Sequence, residues 1–298
     1  MLPARNSLSM AAWVSPRKTM NNDSVVVITG AAGQLALACA RRFHERRLLL
    51  TDANQARLEV AVQSLTNHGS KVTGMVADIT TPEGARGIAE AASRLGPVNV
   101  LIHAAGVAPP APPEVIIAVN LFGTVNVLNA FEPLLHPGFV GVCLASLAAH
   151  RRLAWNLDDL TLNPQESALA LTQLVLARFP SLSPSRLAYA VSKRGTVLQV
   201  KRYSLRWSRV GARLVSVSPG IIADTIMGMQ RSAQATADLS PAIRDGLSSE
   251  IAAAVWLAAS EEASLINGTD ILVDGGYVAT VDTAYSPSRR DDWHQLRI

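Results

Sequence analysis

Cysteine, long basic blocks and metal-ligand patterns are all scarce in this chain of 298 residues. The two cysteines, Cys39 and Cys143, lie in apolar stretches without a CxxC pattern. They predict buried thiols in a reducing compartment, and the sequence predicts no metal site. The net charge of +4 comes without a long basic block or an aromatic-interleaved basic stripe, which argues against a nucleic-acid partner.

The two ends of the chain differ from its middle. Residues 1–22 have no acidic side chain and no apolar run long enough for a signal-peptide core or a membrane span, while Arg5, Arg17 and Lys18 make them basic. We expect a disordered extension there, and the same composition leaves a mitochondrial transit peptide as the alternative. Residues 281–298 are expected to form a peripheral tail. These features predict a cytoplasmic protein with no membrane partner and a single main domain over residues 23–280.

Short apolar runs alternate with amphipathic segments along that domain. The predicted strands are 25–28, 48–50, 72–76, 98–102, 140–144, 213–218 and 271–273, and the predicted helices are 34–46, 54–67, 83–94, 114–131, 186–209 and 248–259. Uniformly apolar strands separated by helices indicate a parallel sheet covered on both faces. We therefore predict a single-domain α/β fold, a Rossmann-like doubly wound sheet of about seven strands. A leucine-rich stretch at about 150–184, punctuated by prolines, interrupts the alternation and predicts a helical insertion.

The first candidate for chemistry is the pair Tyr189 and Lys193. A phenol and an ammonium one helical turn apart share a helix face, so the cation can stabilise the phenolate and lower a pKa that is about 10 in water. Arginine supplies 23 of the 27 basic residues, yet position 193 carries lysine, the more compact cation. Alone, the pair is also compatible with a solvated helix face.

The second candidate is the turn Thr29-Gly30-Ala31-Ala32-Gly33, which follows the first predicted strand and opens a helix. Glycine allows close backbone approach, and a helix N-terminus offers free N–H groups to a pyrophosphate, although a purely structural turn has the same pattern. Asp52 follows the second strand, 22 residues after Gly30, where a carboxylate can accept hydrogen bonds from an adenosine ribose. Its charge would repel a 2′-phosphate, and neither neighbour of Asp52 is an arginine. The cofactor prediction is therefore NAD, with NADP less favoured.

Eight motifs in order make residues 23–280 resemble the short-chain dehydrogenase/reductase family. They are TGAAGQLA at 29–36, AD at 77–78, HAAG at 103–106, VNLFGT at 119–124, ASLA at 145–148, YAVSK at 189–193, SPG at 218–220 and VDGG at 273–276. The resemblance implies a catalytic dinucleotide-binding domain that transfers hydride between nicotinamide and an alcohol or carbonyl.

The resemblance also implies roles for individual residues. Tyr189 would exchange the proton at the substrate oxygen, Ser146 would hydrogen-bond that oxygen, and Lys193 would lower the tyrosine pKa and hold the nicotinamide ribose. Asn120 would support a water between Lys193 and solvent; the residue type alone also fits a polar kink in a buried helix. The implied cofactor contacts, besides Tyr189 and Lys193, are Gly30, Gln34, Leu35, Asp52, Asp78, Ile79, Ala105, Gly106, Ile222 and Thr225.

Several positions depart from the family pattern. Gln34 and Ala36 stand where glycines are usual, Ala104 stands where asparagine is common, and Thr225 comes one residue late, after Asp224. Ser146 and Tyr189 are 43 residues apart, far more than usual, because the leucine-rich insertion separates them.

This insertion resembles that of the 3α-hydroxysteroid dehydrogenase/carbonyl reductase branch, where it covers the face used for tetramers and leaves a dimer. We therefore expect a homodimer through about residues 248–276. The expected substrate is a small, largely apolar secondary alcohol or ketone, with a hydroxysteroid as one candidate. The apolar residues expected near the cleft are Leu147, Trp155, Ile222, Ile226, Met227 and Met229. A cofactor-binding sensor or scaffold without turnover is the alternative.

Overall fold

The computed structural model describes residues 24–150, 158–162, 167–225, 228 and 244–283. The predicted N-terminal extension lies outside these residues, as do most of the predicted tail and four of the expected cleft residues, Trp155, Ile226, Met227 and Met229.

Within the described residues, seven strands form one parallel sheet in the order β3-β2-β1-β4-β5-β6-β7. They are β1 (Val25–Thr29), β2 (Arg47–Asp52), β3 (Lys71–Val76), β4 (Val98–His103), β5 (Val140–Leu144), β6 (Arg213–Pro219) and β7 (Asp270–Val273). The strand order reverses beside β1, so the carboxyl ends of β1 and β4 frame the crevice typical of doubly wound sheets. The predicted fold class is confirmed.

Ten α-helices accompany the sheet in the same part of the chain. They are α1 (Gln34–Arg42), α2 (Gln55–Asn67), α3 (Pro82–Leu95), α4 (Pro113–Ile117), α5 (Gly123–Phe131), α6 (Asp158–Leu162), α7 (Ala168–Arg178), α8 (Pro184–Trp207), α9 (Ser248–Ala259) and α10 (Tyr277–Thr283). The predicted helix 34–46 is too long, because the Phe43 N–H bonds both Cys39 O and Ala40 O and ends α1. The predicted helix 114–131 is divided by a π-helical turn, Ala118–Phe122.

Alternate strand residues face two apolar layers. Val26 and Ile28 of β1 pack with α1 and α9 on one face, whereas Val25 and Val27 pack with α3, α5 and α8 on the other. Burial on both faces explains why β1 reads as an uninterrupted apolar run. The helical stretch 113–134 is long and apolar enough to cross a bilayer by composition, but it lies in this fold as a half-buried core helix.

The insertion is helical, as predicted, and packs on α8, the helix that carries Tyr189 and Lys193. Leu171 and Val175 of α7 are buried against α4 and α8. The leucines of α7 do not all share one buried side, because Leu169 and Leu174 are 59% and 45% exposed on the face turned away from the body.

The shorter helix α6 is fastened to α8 by polar contacts. Arg194 Nε and Nη2 donate to Asp158 Oδ1 and Oδ2 at 2.8 and 2.7 Å, and Gln199 Nε2 donates to Thr161 O at 2.8 Å. A Cβ on Gly195 would lie 3.2 Å from Thr161 Cβ, so glycine permits this close approach. The insertion therefore covers part of α8 immediately after Lys193.

Candidate active site

The residues predicted for the site converge at the carboxyl edge of the sheet. Gly30 follows β1, Asp52 ends β2, Ala105 follows β4, and Ser146 follows β5. Parallel strands place all these ends at one edge. Sheet topology thus brings together residues that are far apart in sequence.

The glycine turn is pressed against the exit of β4. Gly30 has φ +64°, and a Cβ there would lie 2.4 Å from Ala105 Cα, so both conformation and space require glycine. Gly33 precedes α1 without a side-chain cap, and the first turn of α1 contains no acidic residue. The N–H groups of Gln34 and Leu35 therefore lack intrahelical partners and suit an anion such as a pyrophosphate.

Asp52 lies beside this turn. Its Oδ2 accepts the Ala32 N–H at 3.1 Å and its Oδ1 accepts the Asn54 N–H at 2.9 Å, which fixes the carboxylate at the expected ribose position. Arg57 Nη2 donates to Ala32 O at 3.0 Å. The sequence shows no arginine next to Asp52, but the first turn of α2 brings one to the same backbone residue.

The segment that carries the expected cofactor contacts Asp78 and Ile79 is held by Asn126, a residue that the sequence does not single out. Asn126 Nδ2 on α5 donates to Ile79 O and Thr80 O, both at 3.0 Å, and Asp78 Oδ1 accepts from Thr80. Ile79 is buried against Gly123, where a Cβ would lie 2.7 Å from its Cδ1. Because the partners of Asn126 are distant in sequence, no local pattern could reveal this role.

Lys193 is buried under the site, with 7% of its surface exposed. Its Nζ donates to Leu144 O at 2.8 Å and lies 6.0 Å from the centroid of the Tyr189 ring. Burial lowers the pKa of Lys193 to about 8. A Cβ on Gly106 would lie 3.3 Å from Nζ, so Gly106 lines the same space.

Ser146 begins a short 3₁₀ turn, Leu147–His150, that packs on α8. Ser146 Oγ accepts the Ala148 N–H at 3.2 Å, and Ala148 contacts the partly buried Tyr189. The far end of the turn is fastened by His150 Nε2, 2.8 Å from Asp270 Oδ2, while Asp270 Oδ1 accepts from Ser216 Oγ at 2.5 Å. The structure thus brings Ser146, Tyr189 and Lys193 to one side of the sheet.

Asn120 lies in the π-helical turn and is buried. Its amide pairs with both backbone groups of Val107: Oδ1 accepts the N–H at 2.8 Å, and Nδ2 donates to the carbonyl at 2.9 Å. Its own carbonyl accepts the hydroxyls of Thr124 at 2.6 Å and Thr196 at 3.3 Å. Asn120 therefore fixes the segment after Gly106, next to Lys193.

His103 links the glycine turn to Asn120. Its Nδ1 lies 2.8 Å from Thr29 Oγ1, and its Nε2 lies 3.0 Å from Thr124 Oγ1. The Thr124 hydroxyl donates its proton to Asn120 O, so it accepts a hydrogen bond from His103 Nε2–H. The other ring nitrogen, His103 Nδ1, then accepts from the Thr29 hydroxyl. Burial lowers the pKa of His103 to about 3, and the charge of Lys193 adds to this. The imidazole is therefore neutral at neutral pH.

The segment after β6 carries the last expected contacts. Thr225 Oγ1 donates to Ile222 O at 2.8 Å, whereas Asp224 caps α9 through Ser248 N and Oγ. A cavity of about 470 Å³ lies beside Ile222, and Val273 and Tyr277 also line it. Neither Ser146 nor Tyr189 lines this cavity.

A glycine turn on a doubly wound sheet, an acidic residue at the end of β2 and a Tyr–Lys pair define a nicotinamide-dependent oxidoreductase class. A short chain dehydrogenase family model matches residues 24–156, and a model described as enoyl-(acyl carrier protein) reductase matches residues 160–278. The chain is 35% identical to the short-chain dehydrogenase/reductase bsc3 of Alternaria brassicicola, over 87% of this chain and 97% of that protein. The chain belongs to the short-chain dehydrogenase/reductase family.

Other relatives differ in what they act on. A D-threitol dehydrogenase of Mycolicibacterium smegmatis is 28% identical over 85% of this chain and 92% of its own length. A 3-alpha-hydroxysteroid dehydrogenase/carbonyl reductase of Comamonas testosteroni is 27% identical over 87% and 98%. The crystal structure of levodione reductase shares the fold, with a TM-score of 0.71 and 23% identity over 86% of this chain and 98% of that one.

Proposed function

We propose that this protein is an NAD(H)-dependent alcohol dehydrogenase or carbonyl reductase acting on a small apolar secondary alcohol or ketone. The observation that carries the proposal is the Lys193 ammonium, buried one helical turn from Tyr189 beside the turn that begins at Ser146. A cofactor-binding sensor would not need a buried cation beside a tyrosine. The glycine turn, the uncapped start of α1 and the Asp52 carboxylate together fit a dinucleotide.

In the proposed mechanism, bound NAD(H) supplies or accepts the hydride, and the protein handles the proton. Tyr189 Oη donates or accepts the proton at the substrate oxygen. Ser146 Oγ donates a hydrogen bond to that oxygen as charge develops. Lys193 would favour the phenolate by its charge and hold the nicotinamide ribose, while Asn120 would support a water between Lys193 and solvent.

The remaining cofactor contacts follow the turn and the strand ends. Gln34 and Leu35 would bind the pyrophosphate through their N–H groups. Asp78 and Ile79 would flank the adenine, and Ala105 and Gly106 would pass the ribose. Ile222 and Thr225 would contact the nicotinamide, and in Thr225 the hydroxyl already donates to Ile222 O.

NAD is proposed over NADP because of Asp52. The Asp52→Ala change removes both a ribose acceptor and a charge that repels a 2′-phosphate. The difference in kcat/KM between NAD and NADP should therefore become smaller. The test is kcat/KM for each cofactor, followed through the absorbance of the reduced nicotinamide. Equal values for the unaltered protein would contradict the proposal.

An apolar substrate is proposed because the two described residues expected near the cleft, Leu147 and Ile222, are apolar and buried. The relative that acts on hydroxysteroids supports a steroid candidate, whereas the threitol relative makes polyols the necessary comparison. A panel of hydroxysteroids, cyclic ketones and polyols, each with NAD(H), decides between them. A preference for polyols would contradict the apolar assignment, and no turnover with any alcohol or ketone would favour the sensor alternative.

A homodimer is proposed on the basis of exposed apolar side chains on α9 and before β7, and a cytoplasmic location on the basis of the sequence alone. Trp256 and Leu257 of α9 are 40% and 52% exposed, and Leu265, just before the edge strand β7, is 93% exposed. A self-complementary apolar patch closes by two-fold symmetry, while α6 covers part of α8. Analytical sedimentation tests this: a tetramer assembled on α8 would refute the arrangement, and a stable monomer would refute the dimer.

A further inference from the structure

We propose that Arg57 is a second cofactor-specificity residue, which binds a phosphate on the adenosine ribose once the charge of Asp52 is removed. The inference rests on the proposed NAD(H) function. Arg57 does not contact Asp52, but both side chains hydrogen-bond to the backbone of Ala32. In the unaltered protein the Asp52 carboxylate opposes the attraction of Arg57.

Ala32 connects the two side chains. Its N–H donates to Asp52 Oδ2 at 3.1 Å, and its carbonyl accepts from Arg57 Nη2 at 3.0 Å. The carboxylate and the guanidinium therefore lie on either side of one residue of the glycine turn. Asp52 is placed to bind a ribose. A group attached to that ribose would therefore lie close to both the carboxylate and the guanidinium.

The start of α2 holds Arg57 in place. Asn54 caps the helix by accepting the Arg57 N–H on Oδ1 at 3.0 Å, and its own N–H donates to Asp52 Oδ1 at 2.9 Å. Asp52, Asn54, Arg57 and Ala32 thus form a closed ring of hydrogen bonds. The position of Arg57 is built into the turn and is not that of an arbitrary surface arginine.

The charge of Arg57 is available. Its side chain is exposed, and among the described residues no carboxylate lies within 4.0 Å of its guanidinium nitrogens. A guanidinium has five N–H donors, so a bond to Ala32 O leaves others for a phosphate. Arginine matches phosphate geometry, whereas the Asp52 carboxylate repels the same group.

The test is a double-mutant cycle read by direct binding. Asp52→Asn is chosen because the amide keeps an acceptor for the turn while removing the charge. The cycle comprises the unaltered protein, Asp52→Asn, Arg57→Ala and the double variant. Arg94→Ala is the charge control, because Arg94 lies in the last turn of α3, at the opposite edge of the sheet. The probes are adenosine 2′,5′-bisphosphate and 5′-AMP, which differ only in the 2′-phosphate, titrated by calorimetry, with thermal melts confirming that each variant is folded.

Asp52→Asn should bind the bisphosphate about tenfold more tightly than the unaltered protein, and adding Arg57→Ala should remove most of that gain, as expected for one charge-assisted contact. Binding of 5′-AMP should not depend on Arg57, and Arg94→Ala should change neither probe. Equal bisphosphate affinity of Asp52→Asn and the double variant would overturn the proposal. If the unaltered protein uses NAD and NADP equally while the cycle still shows coupling, the role of Arg57 stands and the NAD preference fails.

Discussion

Replacing Lys193 by methionine should change the pH dependence of folding stability. The unfolded chain holds this proton up to pH 10.5, whereas burial lowers the pKa to about 8 in the folded protein. Between these values the unfolded state binds more protons, so the free energy of unfolding rises with pH. Below pH 8 both states are protonated and the cost of burying the cation is fully present. From pH 7 to pH 10 the free energy of unfolding of the wild type should rise by about 2 to 3 kcal/mol relative to that of Lys193→Met.

Urea unfolding of both proteins at intervals between pH 7 and pH 10 measures this gain, because other titrating groups cancel in the difference. Lys201→Met is the matched control: Lys201 is exposed on the same helix, so its curve should stay parallel to that of the wild type. A Lys193→Met difference that stays flat across the range would refute the desolvation argument. Activity should be lost in this variant at every pH, since the cation beside Tyr189 is gone.

Three further changes test the site and its supports. Tyr189→Phe should lower turnover by orders of magnitude while leaving NAD affinity nearly unchanged, and retention of more than about a tenth of the activity would contradict the acid/base role. His150→Ala should loosen the turn that begins at Ser146 and lower kcat without changing the Kd for NAD. His150→Gln, whose amide can still donate to Asp270, should recover most of that loss, and equal effects of the two variants would contradict the positioning role. Arg194→Ala leaves the Asp158 carboxylate unpaired and should lower the free energy of unfolding in urea titrations. The expected loss is about 1 to 2 kcal/mol, because the pair is partly exposed. An unchanged value would show that α6 is not held by this contact.

The fold could be predicted because its signal is local and repeated. β1 and β5 are buried on both faces, so every side chain in them is apolar or small, and the helices between show their own period. The errors occurred where local pattern and tertiary packing differ. The apolar period continues past Arg42, but the bonds of the Phe43 N–H end α1, and the buried Asn120 lies in a π-helical turn that no periodicity reveals.

Residues that support the site could not be predicted in the same way. Arg57 is four residues beyond the immediate neighbour of Asp52, and only the geometry of α2 brings it to Ala32. His150 and Asp270 are 120 residues apart and meet because β7 lies next to β6. Motifs identify the residues that touch ligands, because those carry distinctive chemistry. The residues that support the site are ordinary polar residues, and their roles depend on contacts that form only in the assembled sheet.

The electrostatics of the site also depend on the assembled protein. The buried Lys193 has two buried titratable neighbours, His103 and Cys143. Burial lowers the pKa of His103 to about 3 and raises that of Cys143 to about 12, so both are neutral at pH 7. Lys193, with a pKa of about 8, keeps its charge. Among these three groups the ammonium is therefore the single charge at neutral pH, neither cancelled by a thiolate nor reinforced by an imidazolium. Its field acts on the nearby phenol of Tyr189, which is the condition that makes a tyrosine useful as an acid and base near neutral pH.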